Sequence, residues 1–334
     1  AALAVDREGL DPHANRGFED LLSIDCVAIA CLQASTWYSA IALLATCKAM
    51  AEGFTSKPGL LPGLPVAVGR DVYMWDPTLG TMAALPGPLD EHEGRQASAL
   101  VSGQVYRCGG GLPDRPSSNL AYFDQPKGEW VPLPKMSRQR AGHSAVALRG
   151  RLYVCGGVDG SAIHRSAECF DPARGVWRKL QHMSFARIGH GATALDGRLY
   201  VCGGLVDGHG GVGYVERYNP ATDSWTQLPP RSHGHGFHHV ASLGGRLYVL
   251  TDTRTGTMRM ESFDPSDNSW IPLQSLSLVD DRLGHIRAAT AWKGKLYVAY
   301  GPSDRDGKPT MTDAQCFDPA AEIWMQATLH SETF

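Results

Sequence analysis

The chain has 334 residues with 31 basic and 34 acidic side chains, a formal net charge of −3, and 43% hydrophobic residues. This near-neutral balance, with no long basic run, excludes a protein whose affinity comes from neutralising nucleic-acid phosphates. Eight cysteines are too sparse for a disulfide scaffold and no CxxC pair occurs, so a cytoplasmic, reducing compartment (cytosol or nucleus) is expected rather than a secreted or zinc-stapled framework.

In chain order, the opening AALAVDREGL carries no signal peptide and no initiator Met, as in a processed or cut product. Residues 1–54 form a first segment that has no Gly between Phe18 and Glu52. Two short helices are predicted in it, about Leu22 to Gln33 and Tyr38 to Glu52, with Ser39 as a cap for the second. The uncharged stretch from Cys26 to Cys47 is 22 residues, long enough to span a bilayer. It contains Gln33, Ser35, Thr36, Ser39 and Thr46 and is bracketed by Asp25 and Lys48, so it reads as packed helices and no membrane partner is expected. Residues 55–65 are a Pro- and Gly-rich linker.

From residue 66 to 334 the chain repeats with a period of about 48 residues. An aromatic residue followed by Asp or Asn recurs as Trp75-Asp76, Phe123-Asp124, Phe170-Asp171, Tyr218-Asn219, Phe263-Asp264 and Phe317-Asp318. All but the second are followed by Pro, and six residues on stand Trp130, Trp177, Trp225, Trp270 and Trp324, with Met82 in the first copy. Upstream, Gly103, Gly150, Gly197, Gly245 and Gly294 each precede a Tyr by three. Cys108, Cys155 and Cys202 each sit just before Gly-Gly, so they occupy one repeated core position. The runs between these landmarks are short and rich in β-formers, giving four strands per copy. Small residues mark an inner strand (Ser144 to Leu148), the Gly supplies a hairpin turn with positive φ, and Asp-Pro closes a second turn. The Trp then fills the interface with the adjoining sheet.

The order Gly-x-Leu-Tyr-Val, Gly-Gly, aromatic-Asp-Pro and Trp resembles the kelch repeat, which builds one four-stranded blade of a β-propeller. The resemblance implies an all-β, six-bladed kelch-type β-propeller over residues 66–334, preceded by a short α-helical segment. The first blade is expected to show only its outer strands, VAVG, DVYMWDP and TMAALP. Its closing strand is expected either beyond Phe334 or improvised from Leu329 to Phe334. The string from Leu22 to Met50 resembles a degenerate F-box: its end reads Thr46-Cys47-Lys48-Ala49-Met50, without the family's opening Leu-Pro or final Trp. That likeness implies a Skp1-like adaptor as partner, held by Leu22, Ile29, Leu32, Leu44, Cys47 and Met50.

No GxSxG, HExxH, P-loop or dinucleotide fingerprint occurs, so no enzyme is expected and no catalytic residue is assigned. His233, His235, His238 and His239 have the residue type of metal ligands, but His143, His190 and His238 recur seven residues before the hairpin Gly. They therefore read as a repeated loop, and neither metal nor cofactor is expected. Just ahead of the inner strands lie Arg95, Arg140, Arg187 and Arg282, with His235 at the corresponding fifth position. Propeller symmetry would gather them at one channel mouth, where guanidinium groups suit an acidic peptide or loop of a protein partner; the alternative is that each arginine bonds adjacent carbonyls structurally. The function expected is partner or substrate recognition, as the F-box-type receptor of a ubiquitin ligase where the adaptor binds. An oxidase-like enzyme or small-molecule binder at the channel mouth, or a structural subunit, are the other readings the fold allows.

Overall fold

A computed structural model of the chain describes residues 64–68, 71–76, 81–85, 96–112, 114–160, 162–206, 210–211, 213–231, 238–252, 257–277, 285–301, 313–327 and 330–332. These lie in the unit Leu61–Phe334. The two helices expected before it, with Leu22, Ile29, Leu32, Leu44, Cys47 and Met50, lie outside the described residues.

The local device that repeats is a two-residue hairpin. In Ser102-Gly103, Arg149-Gly150, Asp196-Gly197, Gly244-Gly245 and Lys293-Gly294 both residues have positive φ, the backbone of a type I′ turn, whose twist matches that of the strands it joins. Each hairpin joins an innermost strand to the next one outward, and two further antiparallel strands complete a sheet. Five such blades are contiguous in sequence. Blade I comprises Ala97–Val101, Gln104–Cys108, Leu120–Asp124 and Glu129–Leu133. Blade II comprises Ser144–Leu148, Arg151–Cys155, Ala167–Asp171 and Val176–Lys179. Blade III comprises Gly191–Leu195, Arg198–Cys202, Val215–Asn219 and Ser224–Leu228. Blade IV comprises His238–Leu243, Arg246–Asp252, Thr257–Asp264 and Ser269–Ser277. Blade V comprises His285–Trp292, Lys295–Gly301, Asp313–Asp318 and Ile323–Ala327.

The expectation of a six-bladed propeller whose first blade shows only its outer strands is corrected: beside these five blades stands one composite sheet. Leu64–Val68, Asp71–Asp76 and Thr81–Ala84 form a composite four-stranded sheet with His330–Glu332 from the other end of the chain. Its hairpin pairs Val68 with Asp71, as Leu148 pairs with Arg151 in blade II. Asp71–Asp76 is therefore a second strand, although Trp75-Asp76-Pro77 reads like the turn that ends a third. Leu64–Val68, whose first two residues fall in the expected linker, takes the innermost place, beside the inner strands of blades I and V. His330–Glu332 lies within the segment expected to supply the closing strand, but it adds at the outer edge, parallel to Thr81–Ala84.

Burial follows the period-two alternation of strands. In blade II, Leu152 and Val154 pack with Ala99, Tyr106 and Cys108 of blade I. Tyr153 and Cys155 face the other way, onto Leu199, Val201 and Tyr218 of blade III. Every second strand thus serves two interfaces, and the repeated cysteine always points to the following blade. Burial pushes the thiols of Cys108, Cys155 and Cys202 up to about 12, and all three are free. The outer-strand tryptophans reach the preceding blade. The indole N–H groups of Trp177, Trp225, Trp270 and Trp324 donate to the carbonyls of Pro134, Gln181, Pro229 and Gln274 at 2.7, 2.8, 2.9 and 3.0 Å.

Candidate functional site

The segments that carry the chain from one blade to the next, together with the loops between second and third strands, form one face of this unit. The inner hairpins and Asp-Pro turns form the opposite one. The expected arginine ring falls on the first face, but its described members point inward. Arg140 is 1% exposed and Arg187 0%.

Arg140 joins two blades. Its backbone accepts a bond from Gly110 N at 2.8 Å and donates to Ser117 O at 2.8 Å, both in blade I. Its guanidinium turns into blade II, where Nη1 donates to Gly156 O at 2.6 Å and Nη2 donates to Glu168 Oε1 at 3.1 Å. Glu168 Oε2 accepts from Ser137 N at 2.8 Å. Arg187 repeats this one blade on. Its carbonyl accepts from Gly157 N at 2.9 Å, Nη1 donates to Gly203 O at 2.9 Å and Tyr214 O at 3.0 Å, and Nη2 donates to Glu216 Oε1 at 2.6 Å. Apart from Arg187 Nε, these guanidinium groups are bonded within the junctions, and this favours the structural reading of Arg140 and Arg187 over a partner-facing ring.

A third copy was not foreseen. Buried Arg231 donates through Nε to Glu261 Oε2 at 2.8 Å and through Nη2 to Thr251 Oγ1 at 2.8 Å in blade IV, while its N–H bonds Gly213 O of blade III at 2.9 Å. Arg231, not His235, therefore fills the arginine place ahead of blade IV; His235, like His233, Arg95 and Arg282, lies outside the described residues. The signal for the acidic partners stands in the sequence. Glu168, Glu216 and Glu261 each come two residues before the aromatic of the Asp/Asn-Pro turn, where blades I and V carry Ala121 and Gln315.

The repeated histidines complete these junctions. A Cβ on Gly156, whose φ is +66°, would lie 2.5 Å from His190 Cε1 and 2.6 Å from Arg187 O. The Gly-Gly pair is thus the space into which the next blade's imidazole fits. His143 packs on Gly109 and Gly157 in the same way, with Nε2 3.4 Å from Cys108 Sγ; His238 Nδ1 accepts from Gly204 N at 3.0 Å. Burial, with the Arg140 guanidinium nearby, pushes His143 down to about 3. Burial and then Arg187 hold His190 well below its usual range. Among the described residues no three His, Cys, Asp or Glu side chains are grouped so as to hold a metal ion, and no helix is long and apolar enough to cross a membrane.

Outward, this face carries large apolar side chains among exposed charged ones such as Asp114, Arg115, Arg138 and Arg165. Leu112 and Leu205 are 47% and 40% exposed, each just after the glycines that follow the repeated cysteine. Between blades II and III the half-buried rings of Phe185 and Tyr214 stack at 4.3 Å, 14° from parallel.

Among curated proteins none matches the chain. A solved structure described as "Structure of YjhT" is 16% identical, with a TM-score of 0.56 over 70% of this chain and 82% of that one; at that identity the likeness shows the fold alone. The family model "KLHDC2/KLHL20/DRC7 Kelch-repeats domain" matches residues 65–251, more than half of the chain and the stretch that contains the Arg140–Glu168 and Arg187–Glu216 junctions. The chain belongs to the kelch-repeat β-propeller family.

Proposed function

We propose that this protein is a non-catalytic recognition module that binds a protein partner on the face carrying Leu112 and Leu205. The observation that carries the reading is how side chains divide on that face. The junction arginines and glutamates are turned inward to join blades, and two large apolar side chains are left in solvent on loops that the blades hold in place, among exposed charged residues such as Arg115 and Arg138. Val176, Ile271 and Ile323 are also exposed, but they stand on outer strands beside Trp177, Trp270 and Trp324 and supply a natural control. The test is affinity capture from cells with the wild-type chain, Leu112→Asp/Leu205→Asp and Val176→Asp. The expected result is a captured set lost with the double variant and kept with Val176→Asp, at equal melting temperature. A set unchanged by the double variant would sink the reading.

The finer role we propose is that of a ubiquitin-ligase substrate receptor, supported by the F-box-like string between Leu22 and Met50. It predicts that the full chain captures a Skp1-like adaptor and that Leu44→Asp/Met50→Asp does not. Capture of the face's partner without any adaptor would leave the recognition module standing and remove the ligase role.

A further inference from the structure

On the opposite face, we infer that blade II carries a receptor for a phosphorylated side chain of a polypeptide, built by Arg149, Arg151 and Arg174. The reading extends the recognition role just proposed to a second surface, and its test does not depend on the first.

The repeat itself supplies the baseline. In each of blades II, IV and V the residue after the hairpin Gly is basic and pairs with the Asp of the Asp-Pro turn: Arg151–Asp171 at 3.0 Å, Arg246–Asp264 at 2.7 Å and Lys295–Asp318 at 3.3 Å. One cation per carboxylate is thus what the architecture uses there. Blade II adds two. Arg174, inside the turn, is 73% exposed and reaches the same Asp171 Oδ2 at 3.3 Å. Arg149, at the first hairpin position, has no ion-pair partner among the described residues. Its guanidinium lies across Gly197, in the space that a side chain there would take. The flanking turn adds one charge of each sign, Asp196 and Arg198.

Arg149, Arg151 and Arg174 line an open recess of about 370 Å³ together with Gly150, Asp171 and Ala173. Asp171 is saturated, with Oδ2 taking Arg151 and Arg174 and Oδ1 taking the N–H groups of Ala173 and Arg174. It orients two of the forks and leaves their remaining N–H groups, and all of Arg149's, to an incoming anion. A recess with an excess of two positive charges in a chain of net charge −3 matches a phosphate monoester, which carries nearly two negative charges and three acceptor oxygens. A carboxylate would occupy only one fork.

The test is fluorescence anisotropy of the full chain with three labelled nine-residue peptide pools, identical in their randomised flanks and carrying phosphoserine, serine or glutamate at the centre. The phosphoserine pool is expected to bind at least tenfold more tightly than the other two. Arg149→Asn/Arg174→Ala should bring it down to the level of the serine pool, while Lys293→Asn, at the matching hairpin position of blade V, should leave it unchanged. Asn suits the left-handed backbone of position 149 (φ 51°) and Arg174 is largely in solvent, so an unchanged melting temperature is expected. Equal binding of the three pools, or no response to the double variant, would overturn the inference. So would displacement by inorganic phosphate at the same concentration as the phosphoserine pool, which would mark a site for the free anion. None of these results bears on the Leu112/Leu205 capture experiment at the other end.

Discussion

Replacing Arg187 by Met separates the two roles an arginine at a blade junction can have. The side chain is fully buried and faces Glu216, also 0% exposed. Its loss leaves that carboxylate with the N–H groups of Ser184 and Phe185 but no counter-charge, and leaves Gly203 O and Tyr214 O without this donor. Removing one partner of a buried ion pair costs about 3–5 kcal/mol, which for a domain of this size lowers the melting temperature on the order of 10 °C. Neutralising the stranded charge should recover part of it. Arg187→Met/Glu216→Gln keeps an acceptor for Ser184 N and is expected to be about 1–2 kcal/mol more stable than Arg187→Met alone. Urea denaturation of the wild type, both single variants and the double measures this. A loss below about 1 kcal/mol for Arg187→Met, or no recovery in the double, would refute the junction argument.

Further outcomes follow from the same junctions. His143, held at about 3 in the fold against roughly 6.5 unfolded, stays neutral while the unfolded chain takes up its proton. Stability is therefore complete above pH 6.5 and falls as pH drops towards 3, by about 2 kcal/mol between pH 6.5 and 5 from this one group. His143→Gln should flatten the slope measured by denaturation across that interval, and an unchanged slope would count against a buried neutral imidazole. Gly156→Ala, with His190 and Arg187 O in the way, should cost more than about 3 kcal/mol by the same assay. Gly175→Ala, at a similar φ of +67° but with open space around it, should cost about 1–2 kcal/mol. With their thiols pushed up to about 12, Cys108, Cys155 and Cys202 should resist iodoacetamide at pH 8 in the native protein and react in urea, as read by mass spectrometry.

Residues whose type is dictated by backbone or burial made the repeat legible. Glycines at the positive-φ hairpins, Asp-Pro turns and the outer tryptophans each answer a local requirement, so they recur at fixed spacing. The first sheet was misread because Trp75-Asp76-Pro77 satisfies the third-strand pattern while its hairpin register belongs to a second strand. Only neighbours remote in sequence, the inner strand His285–Trp292 and the edge strand His330–Glu332, decide between the two. Arg140 and Arg187 were found by spacing, but their direction was not legible, since a ring facing solvent and a set of junctions facing inward share one spacing. The acidic residue two before the aromatic distinguishes them. Arg231 escaped because it stands four residues nearer its preceding tryptophan than Arg140 and Arg187 do. Arg149 and Arg174 follow no repeat, and only their meeting around Asp171 singles them out.

The measurement that tests the recognition face most directly is amide hydrogen exchange of the full chain, free and bound to the partner it captures. Protection is expected in the segments 109–119 and 203–214, which carry Leu112 and Leu205, and in the junction around Phe185, with the outer strands unchanged. Protection confined to the outer strands, or absent from both leucine-bearing loops, would contradict the account.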